Sequence, residues 1–335
     1  MNTLMKDIAQ ATGFSINTVS RALRDDRKIS KRTRELIRAK ADAMGYIHNA
    51  IAANMRCLQS KVIGVISGDS SNPFFAEVVR GIEERAREHG YNMLLVNTEE
   101  DAQRERDYVR LFVSRHVDGL LVVPGYQCQE NLQLYKSLSI PFCFVGRRVQ
   151  GIEGHSLLHQ DYESQLEVSS YLIANGHRRM LYLAGPENLS NSADRLNGHL
   201  KALENAGIAL DPSLIIHTRG HIEEGYASVN LALNRGIRFS VITCFNDLLA
   251  MGALKSLSEN GCQVPKDVEV FGFDNLYISQ FMQPSLSTVD VPKFALGVSA
   301  VDELLRHIER RDLEYKDLNL ETRLIYRGST LNRGL

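Results

Sequence analysis

The 335-residue chain has no tryptophan and no proline before Pro73. It also lacks any apolar run near the ~20 residues that a membrane-spanning helix needs. Its N-terminus, MNTLMKDIAQ, does not show the basic-then-apolar layout of a secretion signal, so a cytoplasmic location and no membrane partner are expected. The five cysteines (Cys57, Cys128, Cys143, Cys244 and Cys262) are odd in number, far apart and without a CxxC pair. That pattern fits reduced thiols and offers neither a disulfide framework nor a zinc site. Catalytic signatures are missing as well. There is no GxxxxGK[ST], no GxSxG and no HExxH, and GVISGDS at 64–70 is not a dinucleotide fingerprint. No cofactor or metal is implied, and an enzyme is disfavoured.

What is present is unevenly distributed. The net charge of −1 divides into a segment 1–61, with 12 Lys or Arg against 5 Asp or Glu, and an acidic remainder. A small head of charge +7 on an acidic body suggests that the head meets a polyanion. The length is too great for one compact core and suits two or three units.

Three short helices are expected in the head. The first runs from about Met5 to Thr12 and stops at Gly13, and the second begins after the N-cap Ser15. The third follows Ser30, with apolar Leu36, Ile37, Ala41 and Met44, and ends at Gly45. Its first turn carries Lys31 and Arg32, the wrong sign for the helix dipole, and phosphate would compensate them. In TGFSINTVSRAL the residues Asn17, Ser20, Arg21 and Arg24 form one polar face, opposite Val19 and Leu23. Helix, tight turn and helix make a helix-turn-helix layout. Asn can bond adenine and Arg can bond guanine bidentately, so Asn17 and Arg21 are the expected base readers in a major groove. Ser15, Thr18 and Ser20 are assigned to phosphate oxygens. Ile16 stays open between a core position and contact with a thymine methyl. Residues 49–61, NAIAANMRCLQSK, read as a linker that becomes helical with a partner, with Asn49 as a cap.

From Lys61 the pattern alternates. Strands are expected at 62–67, 92–97, 118–123, 142–146, 156–160, 180–185, 239–245, 268–273 and 286–291, with a last one near 319–327. Helices are expected near 74–89, 102–115, 130–137, 162–174, 192–206, 223–234, 247–259 and 293–310. Two runs of βα units imply an α/β body of two doubly wound lobes, with ligands bound beyond the carboxyl ends of strands in the cleft between them.

DIAQATGFSINTVSRAL resembles the head of the lactose- and galactose-repressor (LacI/GalR) family of transcription regulators. The resemblance extends through GYIHNAIAANM, SNPFFAEVVRGIEERAREHGY, DRLNGHLKALENAGI, FNDLLAMGAL and FGFDN. It implies a helix-turn-helix DNA-binding domain at 1–47, a hinge at 48–60 and a two-lobed body of the periplasmic-binding-protein type. The first lobe would comprise 61–160 and 291–318, and the second 161–290 and 319–335. By the same resemblance, the hinge helix pairs with its twofold mate and opens the minor groove. Met55 stands where relatives usually have Leu as the wedge, His48 stands where they commonly have Pro, and Ala50, Ala52 and Ala53 allow close approach.

The match also implies an effector site. Phe74 and Phe75 would face the cleft, one of them as ordinary packing. Arg195 in DRLNG would hold hydroxyls or a carboxylate with its fork. Asn246 is either a ligand contact or an N-cap, and Asp274 either an acceptor for ligand hydroxyls or a turn former. Asp69 and Arg147 would supply the opposite wall, while Asp161 would cap a helix. His221 stands near the place where relatives put an aromatic platform. Polar groups with few aromatics favour a sugar or sugar phosphate over a nucleobase or nucleoside.

The expected function is therefore a ligand-responsive regulator, most simply a repressor of a carbohydrate operon, that binds a palindromic double-stranded DNA operator as a homodimer. A purine-type effector on the same fold is the alternative. A cytoplasmic sugar-processing enzyme and a plain solute-binding protein are the remaining ones.

Overall fold

The computed structural model describes residues 3–46 and 59–331. The hinge residues Asn49, Ala52 and Met55 lie outside the described residues. The chain divides into two compact units, Met1–Ser60 and Lys61–Leu335.

In the head, α1 (Met5–Thr12), α2 (Ile16–Leu23) and α3 (Lys31–Ala43) follow the sequence signals closely. Gly13 ends α1 at φ +74°, a conformation that costs glycine nothing. The Ser15 hydroxyl accepts the Thr18 N–H at 3.1 Å and the Ser30 hydroxyl accepts the Thr33 N–H at 3.2 Å, so two helices begin where their caps stand. Ile8, Val19, Ala22 and Ile37 are fully buried and form the centre of the small core. Leu36 is 51% exposed, because the core-facing side of α3 is carried by Ile37 and Ala41.

The larger unit holds two parallel sheets. The first contains β1 (Val62–Ser67), β2 (Asn92–Asn97), β3 (Gly119–Val122), β4 (Phe142–Val145), β5 (Ser156–His159) and β11 (Leu318–Leu320), ordered β2-β1-β3-β4-β5-β11. The second contains β6 (Met180–Ala184), β7 (Ile215–His217), β8 (Val241–Cys244) and β9 (Glu269–Phe271), ordered β7-β6-β8-β9. A separate antiparallel pair joins β10 (Thr288–Asp290) to β12 (Arg323–Ile325). Both sheets reverse their winding beside the first strand of each lobe, the place where doubly wound sheets open a crevice at their carboxyl ends.

Three expectations change. The last strand is two: β11 pairs with β5 in the first sheet, so the lobe boundary drawn at 318/319 cuts through β11 and lies beyond Leu320. β7 has no counterpart among the expected strands, since Ile215–His217 is too short to show a period. The helix expected over 130–137 is a 3-10 turn at Cys128–Asn131 that runs into α6 (Leu132–Lys136).

The remaining helices are α4 (Pro73–Glu88), α5 (Ala102–Ser114), α7 (Asp161–Ala174), α8 (Ser190–Asn205), α9 (Ile222–Asn234), α10 (Asp247–Glu259) and α11 (Lys293–Glu309). Several pack in pairs through glycine. A Cβ on Gly81 of α4 would stand 2.2 Å from the Phe294 carbonyl oxygen of α11, and one on Gly297 would meet the Val78 oxygen of α4 at 2.2 Å. The backbones therefore touch where a side chain would separate them. Replacing Gly81 with Ala forces these helices apart, and overpacking of this kind costs about 1–3 kcal/mol. Urea unfolding of Gly81→Ala should show a lower midpoint with an unchanged slope; an unaltered midpoint contradicts the close-packing account.

Candidate functional site

Two regions carry chemistry, one in each unit. On α2 the outer face is open: Ile16 is 53% exposed, and Asn17 and Arg21 are exposed too. Ile16 is thus not a core residue, and it stands beside Asn17 on the accessible face. Arg21 makes only a loose ion pair, 3.9 Å from Asp26, with half its side chain in solvent. Such a pair is worth little and leaves the guanidinium available. Ser15 and Ser20 are more committed. Ser15 caps α2 and shares a 2.9 Å hydrogen bond with the Thr18 hydroxyl, while Arg24 donates to the Ser20 hydroxyl at 3.2 Å and to its carbonyl at 3.1 Å.

In the two-lobed unit, the strand ends converge on Arg195. This side chain of α8 is 2% exposed, which requires partners for a permanent charge. Its Nε donates to Asp161 Oδ1 at 2.7 Å, one Nη donates to the Phe245 carbonyl, and the other lies 3.2 Å from His159 Nε2. Asp274 Oδ1 is 3.7 Å away, and the guanidinium lies over the Phe273 ring at 3.5 Å. Asp161, read from the sequence as a cap, is the first residue of α7 and the main counter-ion of Arg195. Burial works to raise its pKa, but His159 and Arg195 outweigh burial and hold it below the ordinary aspartate value.

Asp274 behaves oppositely. Burial pushes its pKa up to about 8, with Asp247 adding to the effect and Arg195 and Lys293 opposing it. It sits at φ +116° just past β9, and the buried Lys293 ammonium donates to its carbonyl at 2.5 Å, fixing the turn. Asn246 fills both roles considered for it: its Oδ1 caps α10 through the Leu249 N–H at 2.9 Å, and its amide donates to the Gly220 carbonyl at 2.9 Å while lining the cleft.

On the first-lobe wall, Phe74 and Phe75 begin α4 and meet edge to face at 5.3 Å. Both line the cleft and both belong to the core. Arg147 follows β4 and is buried, but its fork is taken. Glu100 receives it in two bonds of 2.7 and 3.0 Å, and the Pro124 carbonyl accepts a third of 2.6 Å. Burial alone would lower the Arg147 pKa; the Glu100 carboxylate outweighs burial and holds it above the ordinary value. Glu100 escaped the sequence reading because its partner is 47 residues away. One signal was available, the pair Glu99–Glu100 just after β2, and both residues adopt left-handed φ of +53° and +60°. Asp69 is used locally, accepting from the Ser71 N–H and hydroxyl at 2.9 and 2.7 Å. His221 precedes α9 as its N-cap and lines the mouth of the cleft.

The lobes are tied across this cleft. The Tyr126 hydroxyl donates to the Arg219 carbonyl at 3.1 Å, the Arg148 N–H to the Ser190 hydroxyl at 2.8 Å, and the Arg148 guanidinium to Asp194 at 2.6 and 2.8 Å. Two spaces remain between the walls, of about 40 and about 30 Å³. Sites for small molecules generally need roughly 300–1,000 Å³. The cleft is closed, and a ligand requires the lobes to part. A larger groove of about 660 Å³ opens beside it, with Arg148 on its rim.

Comparison with known proteins is consistent over the whole length. Residues 4–49 match the family described as bacterial regulatory proteins, lacI family, and residues 60–326 match periplasmic binding proteins and sugar binding domain of LacI family. The chain is 30% identical to the HTH-type transcriptional repressor PurR of Photobacterium profundum, over 97% of this chain and 98% of that protein. It is 30% identical to the HTH-type transcriptional regulator RegA of Clostridium saccharobutylicum, over 99% and 100%. Among solved structures, the Lac repressor bound to ONPG in the repressed state aligns with a TM-score of 0.88 at 25% identity, covering 98% of this chain and 100% of that one. These relatives are repressors and regulators. The chain belongs to the LacI family of bacterial DNA-binding transcription regulators, and it is not an enzyme.

Proposed function

We propose that the protein represses a carbohydrate-utilisation operon as a homodimer on a palindromic operator, and that a sugar in the interlobe cleft sets its affinity for DNA. The observation that carries the effector reading is the composition of the cleft. Arg195, Asp274 and Asn246 gather hydrogen-bonding groups on the second-lobe wall, and Phe74 and Phe75 offer ring faces and edges beside His159 on the first-lobe wall. Polar groups that converge beside aromatic carbon suit a hydroxyl-rich ring with apolar faces better than a flat heterocycle. The match of residues 60–326 to a sugar-binding domain supports the same reading. PurR relatives keep a nucleobase effector as the competing reading.

The DNA reading assigns Ile16, Asn17 and Arg21 to base edges and Ser15, Thr18 and Ser20 to the backbone. By family resemblance, Asn49, Ala52 and Met55 act at the central minor groove. Entry of a ligand changes the angle between the lobes and so the spacing of two heads in a dimer. Two exposed apolar patches favour pairing with a second copy. Leu94 and Leu95 are 45% and 44% exposed on the edge strand β2, and Tyr277 and Phe281 are 75% and 62% exposed after β9. Solvent-facing apolar clusters of this kind mark association surfaces.

Three measurements test these assignments. In gel-shift assays with the operator, Arg21→Ala should lose about 1–3 kcal/mol of specific binding, the discrimination that a bidentate base contact supplies. Binding to random DNA should change much less, and equal losses on both would remove Arg21 from the base readers. In sedimentation at micromolar concentration, Phe281→Asp should shift the protein from dimer toward monomer, while a wild type that is already monomeric refutes the dimer. The third concerns Asp274. Its pKa in the folded protein, about 8, lies above the ordinary aspartate value, so the folded state holds the proton more tightly. The stability that this gives is complete below the unfolded pKa and is lost as pH rises toward 8. Asp274→Asn should therefore gain melting temperature relative to wild type between pH 5 and pH 8. A difference that does not vary with pH contradicts the assignment.

A further inference from the structure

Among the described residues, the buried cations of the cleft walls, Arg147, Arg195 and Lys293, are each met by protein partners. Arg147 gives two bonds to Glu100 and one to the Pro124 carbonyl. Arg195 is held by Asp161 at 2.7 Å, with Asp274 at 3.7 Å and the Phe245 carbonyl completing its shell. Behind them, the Lys293 ammonium donates to the carbonyls of Asp274, Asn275 and Val291 at 2.5, 3.2 and 3.2 Å. Against these stand the carboxylates of Glu100, Asp161 and Asp69, while Asp274, whose pKa burial pushes up to about 8, keeps its proton at neutral pH. Arg148, bonded to Asp194, and Arg219 are exposed at the rim and mouth, where water and salt screen them.

From this balance we infer that Glu100 makes the cleft select uncharged polyols and reject phosphorylated ones. A phosphate monoester between these walls would bring about −1.5 to −2 charges beside cations that already have carboxylate partners. Burying such a group beside Glu100 and Asp161 without a free partner is strongly unfavourable. Sugar hydroxyls meet no such obstacle. They can donate to Asp274 and accept from the donors that Arg195 and Asn246 keep free. Geometry holds Glu100 in place independently of any ligand. Its N–H donates to the Gly68 carbonyl at 2.9 Å, its carbonyl accepts from the Tyr126 N–H at 3.3 Å, and Gly68 leaves room for the carboxylate. A Cβ on Gly68 would stand 2.6 Å from Glu100 Oε1. The pocket floor is thus shaped around this carboxylate. Neutral selection of this kind narrows the effector to free sugars or other polyols within the carbohydrate reading, on which it rests.

Glu100→Gln is the test, because it keeps the shape of the side chain while leaving the Arg147 charge unanswered. Thermal shifts of the full-length protein are measured at matched ionic strength. The probes are ribose, glucose and fructose, their monophosphates, inorganic phosphate with chloride as control, and adenine and guanine. Wild type should be stabilised by at least one free sugar, and neither the phosphate esters nor phosphate itself should exceed the chloride control. Glu100→Gln should gain phosphate binding about tenfold or more, as expected for a charge-assisted hydrogen bond made available. Wild type that responds to phosphate or to a sugar phosphate as strongly as the variant overturns the inference. Stabilisation by a nucleobase and by no sugar overturns the carbohydrate reading instead, while the phosphate comparison still judges Glu100. If Glu100→Gln fails to fold, the wild type decides alone: a sugar phosphate bound as tightly as its parent sugar rejects the assignment, and rejection of the phosphates upholds it.

Discussion

A guanidinium that water cannot reach imposes the strongest constraint on the two-lobed unit. Arg195 is 2% exposed, and its charge is permanent. The surrounding elements are arranged to answer it. The first residue of α7 supplies Asp161, the end of β5 supplies His159, and the segment after β8 turns a carbonyl toward it. The aromatic faces of Phe273 and Phe245 cover it at 3.5 and 4.7 Å. Because β5 belongs to the first sheet and α8 to the second lobe, this single charge links the two layers at the point where the chain crosses between them. Removing Asp161 would leave an uncompensated buried cation, which is why its role is larger than that of a helix cap.

Much of this was legible in the sequence, for identifiable reasons. Strand cores such as VIGVIS and NMLLVN are continuous apolar runs, and the helices that follow carry their caps beside them, so local rules suffice. Asn246 illustrates both the reach and the limit of such rules. Its cap geometry follows from its place after β8, whereas its bond to the Gly220 carbonyl depends on a loop 26 residues earlier. Glu100 and Arg147 show the limit more sharply. Glu100 reads locally as a surface charge and Arg147 as a ligand contact of the cleft wall, and only the alignment of β2 and β4 in one sheet brings them within 2.7 Å. In the head, the adjacent apolar residues Leu36 and Ile37 cannot both face the core on one helix, and Ile37 takes that side.

The two units divide the chemistry between opposite physical settings. On α2 the groups proposed to read bases have to stay uncommitted, since a base edge is recognised only by donors and acceptors that are free to turn toward it. Its loose Arg21–Asp26 pair, 3.9 Å and exposed, meets that need. In the cleft, by contrast, every nitrogen of Arg195 already faces a protein partner, so a ligand meets only the hydrogens left over or must replace an existing bond.

That requirement explains how a closed cleft can serve regulation. A ligand shifts a conformational equilibrium only through the difference in its affinity for the two states. Spaces of about 40 and 30 Å³ are too small for a sugar ring, so in the proposed reading occupancy goes with a different lobe angle. The opposing term is set by the ties of Tyr126 to Arg219 and of Arg148 to Ser190 and Asp194. Each of these bonds is exposed and individually modest. In the proposed reading, ties of this strength can be exchanged for contacts to a ligand, whereas stronger, buried ones would lock the lobes.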